Sequence, residues 1–188
     1  PEVFEAMKPF FTEAFGNPSS LHHLGLRARD ALAKARAQVA ALVNAESPDD
    51  IIFTSGGTEA VNLAVKGTAF ANQRRGNHMV ISEAEHPAVA NSVEFLEKLG
   101  FACSRVKVDS HGLIDPKDVR AAVTDRTILI CAHLANYDIG TIQPIRELAS
   151  IADERGIPLF VDAVAAAGWL PARAAGRRPC GACSRPPT

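Results

Sequence analysis

The chain has 188 residues, of which 47% are hydrophobic and 22% charged, a composition typical of an ordinary globular protein. Its formal net charge of −1 gives no electrostatic basis for binding nucleic acid or an anionic membrane. No apolar run approaches the length of a membrane span, and the chain is long enough to bury a substantial core.

Taken in chain order, the hydrophobic pattern predicts an alternation of helices and strands. Residues 1–11 form a short amphipathic segment, and a breaker-rich turn at residues 15–20 leads into a long helix over residues 21–43. Beyond it we expect strands at 51–54, 78–82, 102–108, 127–132 and 157–162, and helices at 58–72, 87–99, 116–123 and 144–155.

Strands separated by single helices predict an α/β fold: three layers, with a mostly parallel sheet and helices on both faces. We divide the chain into an N-terminal segment and long helix (1–45), an α/β domain (46–171) and a tail (172–188). Because the tail is rich in Arg, Ala and Pro and lacks Val, Ile, Leu and aromatic residues, we expect disorder there. One hypothesis is out-of-frame sequence joined to a truncated fold.

Residues 53–62, FTSGGTEAVN, predict an anion site. A strand, a small-residue turn and a helix start would expose unpaired N–H groups at the positive end of a helix dipole. Gly56 and Gly57 would let the backbone approach an anion, and the Ser55 and Thr58 hydroxyls would add donors. The spacing is neither the dinucleotide fingerprint nor the P-loop, and a plain connection is an equal alternative.

Three further segments end predicted strands and carry polar side chains. His86 would lie at the same edge as the two glycines and could stack on a flat ring or transfer protons, or it could be a surface histidine. Asp162 ends what reads as a buried central strand and would pair with a ring nitrogen or cap a turn. Asn136 and Tyr137 could reach a ligand or simply form a turn.

Other candidates carry weaker signals. Asn17 could touch substrate from the entry turn, although Ser20 there is better explained as a helix cap. Cys103 and Cys131 lie in strand-like runs and fit reduced core residues of a cytoplasmic protein. The pair Cys180 and Cys183 has no second pair or nearby His, so no metal site is predicted.

Together these segments resemble the cysteine desulfurase family, class V of the fold-type I pyridoxal-phosphate (PLP) enzymes. The matching stretches are FGNPSSLH at 15–22, IFTSGGTEA at 52–60, NLA at 62–64, EHPAV at 85–89, IGTIQP at 139–144 and VDA at 161–163. The resemblance covers residues 1 to about 171 and identifies 46–171 as part of the PLP-binding large domain.

The resemblance implies roles for the candidate residues. Gly57 and Thr58 would hold the PLP phosphate, His86 would stack on the ring and handle protons, Asn136 would contact the cofactor, and Asp162 would keep the pyridine nitrogen protonated. It also implies a cytoplasmic homodimer that converts L-cysteine to L-alanine and passes sulfur to an enzyme cysteine and an acceptor protein, as in iron–sulfur cluster biogenesis.

Several positions depart from the family pattern. Tyr137 replaces an asparagine that contacts the PLP phenolic oxygen, and Ala165 replaces a glutamine that does the same. Trp169 and Val61 replace a lysine and an aspartate. No lysine follows Lys117, so the lysine that attaches PLP in the family has no counterpart. Neither Cys180 nor Cys183 matches the sulfur-accepting cysteine.

Three readings remain open from the sequence. The first is the cofactor-binding half of a cysteine desulfurase, inactive by itself and prone to associate through exposed apolar surface. The second is a related class V enzyme, such as a selenocysteine lyase or an aminotransferase. The third is a non-catalytic remnant or assembly partner, which Tyr137, Ala165 and the missing lysine favour.

Overall fold

The computed structural model describes residues 1–170, which divide into two compact units, residues 1–52 and residues 53–170. The predicted tail and its cysteine pair therefore lie outside the described residues, as do any contacts that they make. Among the described helices, none combines the length and the apolar character that a membrane crossing requires.

The first unit is helical. It contains α1 (Glu2–Met7), α2 (Pro9–Thr12), α3 (His23–Leu42) and a 3-10 turn at Pro48–Asp50. The long helix was predicted, but its cap was not Ser20: the His22 Nδ1 accepts the Gly25 N–H at 3.3 Å. The cap falls at His22 because the turn before it extends two residues further than the breakers suggested, and the Ser20 N–H is bound by the Asn17 carbonyl.

The predicted strand at residues 51–54 is wrong. The structure has a 3-10 turn followed by backbone without strand pairing, and Ile52 is 70% exposed. The Ile51 carbonyl accepts a hydrogen bond from Arg36 Nε at 3.2 Å, so a helix side chain takes the place of a neighbouring strand. A β-rich run becomes a strand only where a partner strand can satisfy its backbone.

The second unit is a parallel sheet with helices on both faces, as the alternating pattern predicted. The four strands lie in the order β2-β1-β3-β4, and every neighbouring pair is parallel. Its elements are α4 (Gly57–Asn72), β1 (His78–Ser82), α5 (Pro87–Lys98), β2 (Ala102–Val106), α6 (Pro116–Ala122), β3 (Thr127–His133), α7 (Ile145–Arg155) and β4 (Leu159–Asp162).

Alternating residues of the two central strands contribute their side chains to two separate hydrophobic cores. Met79 and Ile81 of β1 pack with α4 and α5, whose buried face includes Val65, Val93 and Leu96. Val80 of β1 and Ile130 of β3 pack on the opposite face of the sheet, against a second set of buried side chains from α6 and α7 (Val119, Leu148, Ile151 and Ala152). A period of two in both central strands therefore produces the three layers.

Helix ends follow from local chemistry. Pro87 occupies the first turn of α5, where its missing N–H costs nothing, and the His86 Nδ1 caps the helix by accepting the Ala88 N–H at 3.1 Å. Gly156 ends α7 in the left-handed conformation (φ 61°, ψ 34°), which glycine adopts without steric penalty. The first of these helix ends marks where the loop after β1 finishes, and the second marks where the loop before β4 begins.

The prediction that Asp162 ends a buried central strand is wrong in its location. Among the described strands, β4 is at the edge of the sheet, and its four residues are only half-buried. The apolar run Leu159–Val161 could not distinguish an edge from a central strand, because its pattern of alternate faces is the same in both positions. The Asp162 carboxylate is therefore less costly to keep charged than the sequence implied.

At the amino ends of the strands, His78 of β1 links three strands. Its Nδ1 contacts the Thr127 Oγ1 at 2.8 Å and its Nε2 contacts the Ser104 Oγ at 3.0 Å. Partial burial lowers the pKa of this imidazole below its ordinary value. The unfolded chain therefore takes up this proton at a higher pH than the folded chain does.

We expect this linkage to make the fold acid-sensitive. The contribution of His78 is fully present above its unfolded pKa of about 6.5 and is lost as the pH falls below it. His78→Gln keeps one hydrogen-bonding amide and cannot titrate, so its free energy of unfolding should decline less between pH 7 and pH 5. Urea denaturation at both pH values measures this. The exposed His111→Gln is the control, and equal declines in all three proteins would contradict the prediction.

Candidate functional site

The predicted site residues of the second unit lie at one edge of the sheet, where the parallel strands have their carboxyl ends. His86 follows β1, Asn136 follows β3, and Asp162 ends β4. The register pairs His133 with Asp162, and the Leu134 N–H donates to the Asp162 carbonyl at 2.8 Å. We call this the carboxyl edge; in parallel α/β folds it is where ligands bind.

The start of α4 joins the same edge. A Cβ placed on Gly57 would lie 3.2 Å from the Val164 Cγ2, so the first residue of α4 is next to the turn that follows Asp162. Gly56 is fully extended, and no side chain of the described residues caps α4. The N–H groups of its first turn therefore remain available, which is the arrangement that binds an anion.

One predicted donor of this anion site, which we call the cradle, is engaged elsewhere. The Ser55 hydroxyl and the Ser55 N–H both donate to the Glu59 carboxylate, at 2.6 and 2.7 Å. These hydrogen bonds, that of the hydroxyl foremost, lower the pKa of Glu59, so this exposed side chain is ionised near neutral pH. Backbone N–H groups and the exposed Thr58 hydroxyl are left as the donors for an anion, whereas the Ser55 hydroxyl is bound by Glu59.

Asp162 has one oxygen in use. Its Oδ1 accepts the Val164 N–H at 3.0 Å, which closes a turn directly after the strand. The turn interpretation of this residue is confirmed, whereas pairing with a ring nitrogen stays a prediction; the second oxygen accepts no hydrogen bond within residues 1–170. A half-buried carboxylate with a free oxygen suits a cationic N–H donor.

His86 has one ring nitrogen bound to its own helix. Because the Nδ1 accepts the Ala88 N–H, the neutral ring carries its proton on Nε2. The Tyr137 ring packs against the imidazole at a centroid distance of 5.1 Å and an interplanar angle of 74°, an edge-to-face contact. The Nε2 is therefore the atom through which His86 would exchange a proton with a ligand.

Asn136 is buried, and its amide is occupied by loop contacts. The Nδ2 donates to the Ala84 carbonyl at 3.2 Å, and the Oδ1 accepts the N–H groups of Asp138 and Ile139. Tyr137, in contrast, is 52% exposed. Asn136 thus connects the loop after β3 to the loop after β1, as the turn interpretation expected, while direct contact with a cofactor stays a prediction.

A buried polar network beneath these loops was missed by sequence reasoning. The Glu85 Oε1 accepts from the His133 backbone N–H at 3.1 Å and contacts the His133 Nδ1 at 3.0 Å. The His133 Nε2 lies 3.1 Å from the Gln143 Nε2, and Glu85, His133 and Gln143 are 7%, 4% and 4% exposed. The signal available in the sequence was a histidine that closes an apolar strand, because such a group needs a partner.

Neither described cysteine has the properties of a nucleophile. Burial raises the pKa of Cys103 to about 11 and that of Cys131 well above its ordinary value, so both thiols stay protonated near neutral pH. Both are free, and Cys131 is buried as predicted for a core residue, whereas Cys103 is only half-buried. Among residues 1–170, no group of three or more His, Cys, Asp or Glu side chains is placed to hold a metal ion.

Asn17 lies in the first unit, in a turn that its own side chain and carbonyl stabilise. Its Oδ1 accepts the Ser19 N–H at 2.9 Å, and its carbonyl accepts the Ser20 N–H at 3.0 Å. These contacts account for an asparagine at this position without a ligand. A contact between Asn17 and substrate therefore stays a prediction.

Comparison with known proteins decides the family. The sequence profile described as "Aminotransferase class-V" matches residues 1–175, nearly the whole chain. The chain belongs to the aminotransferase class-V family. Its similarity to the "Cysteine desulfurase IscS" of Dictyoglomus turgidum reaches 51% identity over 170 residues, which are 90% of this chain and 43% of that protein. The corresponding protein of Clostridium botulinum (strain Hall) is 46% identical over the same shares.

Two solved structures share this fold. A "NIFS-LIKE PROTEIN" superposes with a TM-score of 0.87 at 33% identity, covering 92% of this chain and 48% of that one. A structure titled "SspA in complex with cysteine" gives 0.87 at 35% identity, covering 92% and 49%. The class-V chain described here thus spans less than half the length of these relatives.

Proposed function

We propose that this chain is the cofactor-holding part of a PLP-dependent cysteine desulfurase. One observation carries the proposal: Gly57, at an uncapped helix start, is next to the turn that begins at Asp162, so an anion cradle and a free carboxylate oxygen meet at one edge. The IscS relatives and a NifS-like fold support the same assignment.

The residues at the carboxyl edge fit the two ends of PLP. The N–H groups of the first turn of α4, with the Thr58 hydroxyl, would hold the phosphate. Gly57 leaves room for it, since a Cβ at this residue would crowd Val164 and narrow the cradle. Asp162 would accept a hydrogen bond from the pyridine nitrogen through its free oxygen and keep it protonated. The Nε2–H of His86 would face the ring and hold a proton there.

PLP, when bound, withdraws electrons from the substrate carbon next to its amine. The described residues supply positioning and charge for that chemistry. They do not supply a sulfur acceptor, since the Cys131 thiol is buried, the Cys103 thiol is half-buried, and both are protonated. We therefore propose that the described residues hold the cofactor through noncovalent contacts and have no desulfurase turnover by themselves.

Further properties belong to the proposal as well. L-cysteine is the proposed substrate of the whole protein, together with a homodimeric assembly, a sulfur-acceptor partner and a reducing, cytoplasmic location. A non-catalytic holder is the second candidate. The exposed Tyr137 ring against His86 favours it, because this ring changes what meets the cofactor while leaving the phosphate cradle intact.

Titration with PLP, followed by its absorbance, tests the proposal. We expect saturable binding to the 188-residue chain, and an affinity at least about tenfold weaker for Asp162→Ala, since one charge-assisted hydrogen bond is worth about 1.5–3 kcal/mol. Asp118→Ala, which removes an exposed carboxylate from α6, is the matched control and should bind as the parent does. Absence of saturable binding by the parent, or equal affinities of the two variants, would refute the proposal.

A further inference from the structure

The two loops at the carboxyl edge meet residue by residue. The Ala84 carbonyl is held by Asn136, the Glu85 carboxylate by His133, and the His86 ring by Tyr137. Three consecutive residues after β1 are therefore each fixed by a different residue of segment 133–137. We call these three contacts the loop clamp.

The hydrogen-bond donors around His133 determine which of its ring nitrogens carries the proton in the contact with Glu85. The Ile114 N–H donates to the Gln143 Oε1 at 3.0 Å, which identifies the Gln143 Nε2 as the amide nitrogen. That nitrogen donates to the Gly112 carbonyl at 2.7 Å and turns its other hydrogen toward the His133 Nε2. The His133 Nε2 must then accept, so the neutral ring carries its proton on Nδ1.

This tautomer gives Glu85 its hydrogen bonds. The Nδ1–H and the backbone N–H of His133 both donate to the Glu85 Oε1. The Glu85 Oε2 is buried and has no partner within the described residues, so both described hydrogen bonds of this carboxylate come from His133. A buried carboxylate held by one residue takes its position from that residue.

We propose that His133 is a positioning residue for His86. Its imidazole, kept in the Nδ1–H form by Gln143, donates to Glu85 and so fixes the turn from which His86 meets Tyr137. That His86 faces a cofactor rests on the proposed function, but the geometry of the clamp does not depend on it.

Two variants at residue 133 test the positioning role in the 188-residue chain without any cofactor. His133→Leu removes the side-chain donor, whereas His133→Asn can return an N–H close to the position of Nδ1. The readout is the pair of rings at the end of the clamp, observed by NMR in histidine-labelled protein. We expect the His86–Tyr137 cross-peaks to weaken at least twofold in His133→Leu and to keep most of the parent intensity in His133→Asn.

The nitrogen shifts of His133 in the parent give a measurement that needs no variant. We expect a protonated Nδ1 and an unprotonated Nε2 at neutral pH. A proton on Nε2 would overturn the proposal even if His133→Leu fails to fold, and so would unchanged His86–Tyr137 cross-peaks in a folded His133→Leu protein. Since PLP is absent from both measurements, failure to bind PLP in the earlier titration would leave their outcome intact and would refute only the proposed function.

Discussion

Leu148→Ala should destabilise the chain by about 2–5 kcal/mol, because it leaves a cavity where a fully buried leucine packs between α7 and the sheet. This is a large share of the roughly 5–15 kcal/mol that stabilises a typical domain. The urea midpoint should therefore fall steeply, with little change in the slope of the transition.

Leu99→Ala is the matched control, since the same atoms are removed from a side chain that is 55% exposed at the end of α5. It should lower the free energy of unfolding by well under half as much as Leu148→Ala does, because little transfer free energy is lost and no enclosed cavity forms. Similar midpoints for the two variants would show that the second core, beneath α6 and α7, is not packed as described.

Gly57→Val should weaken the binding of PLP at least tenfold, or about 1.4 kcal/mol. The valine side chain would grow from the point at which even a Cβ lies 3.2 Å from the Val164 Cγ2, and it would occupy the space that a phosphate needs. Gly57→Ala should have a smaller effect, since the Val164 side chain is 71% exposed and can move aside. Absorbance titration of each variant measures both effects.

Gly67→Val provides the control on the same helix. A Cβ at Gly67 would meet nothing within 4 Å, so the valine adds equal bulk and equal helix propensity without approaching the cradle. We expect its affinity for PLP to match that of the parent. If both valine variants bind equally well, the anion site is not at the start of α4.

Sequence patterns predicted the layered fold because they are local. The apolar run that became β3, buried along its whole length, and the glycine after α7 act within a few residues of where they lie. The run at residues 51–54 has the same local character, yet no strand within residues 1–170 pairs with it, and no pattern in its own residues indicates this. Edge and central strands were confused for the same reason.

The sequence likewise identified only those residues of the candidate site that have a local signal. The glycines of the cradle, His86 and Asp162 were identified because each lies at the end of a predicted element, next to a chemically suitable neighbour. Glu85 and His133 were not, since 48 positions separate them and their contact depends on the pairing of β1 with β3. Gln143 likewise reaches Ile114 across 29 positions.

The strand order has a consequence for where a ligand can enter. From β1 the chain moves outward to β2 through α5, whereas from β3 it moves the opposite way to β4 through α7. The chain thus reverses its winding between β1 and β3, which makes this pair the topological switch point of the sheet. In open α/β sheets such a point is where ligands bind, so the winding order, rather than any single side chain such as that of Tyr137, would set the place of a ligand at the carboxyl edge.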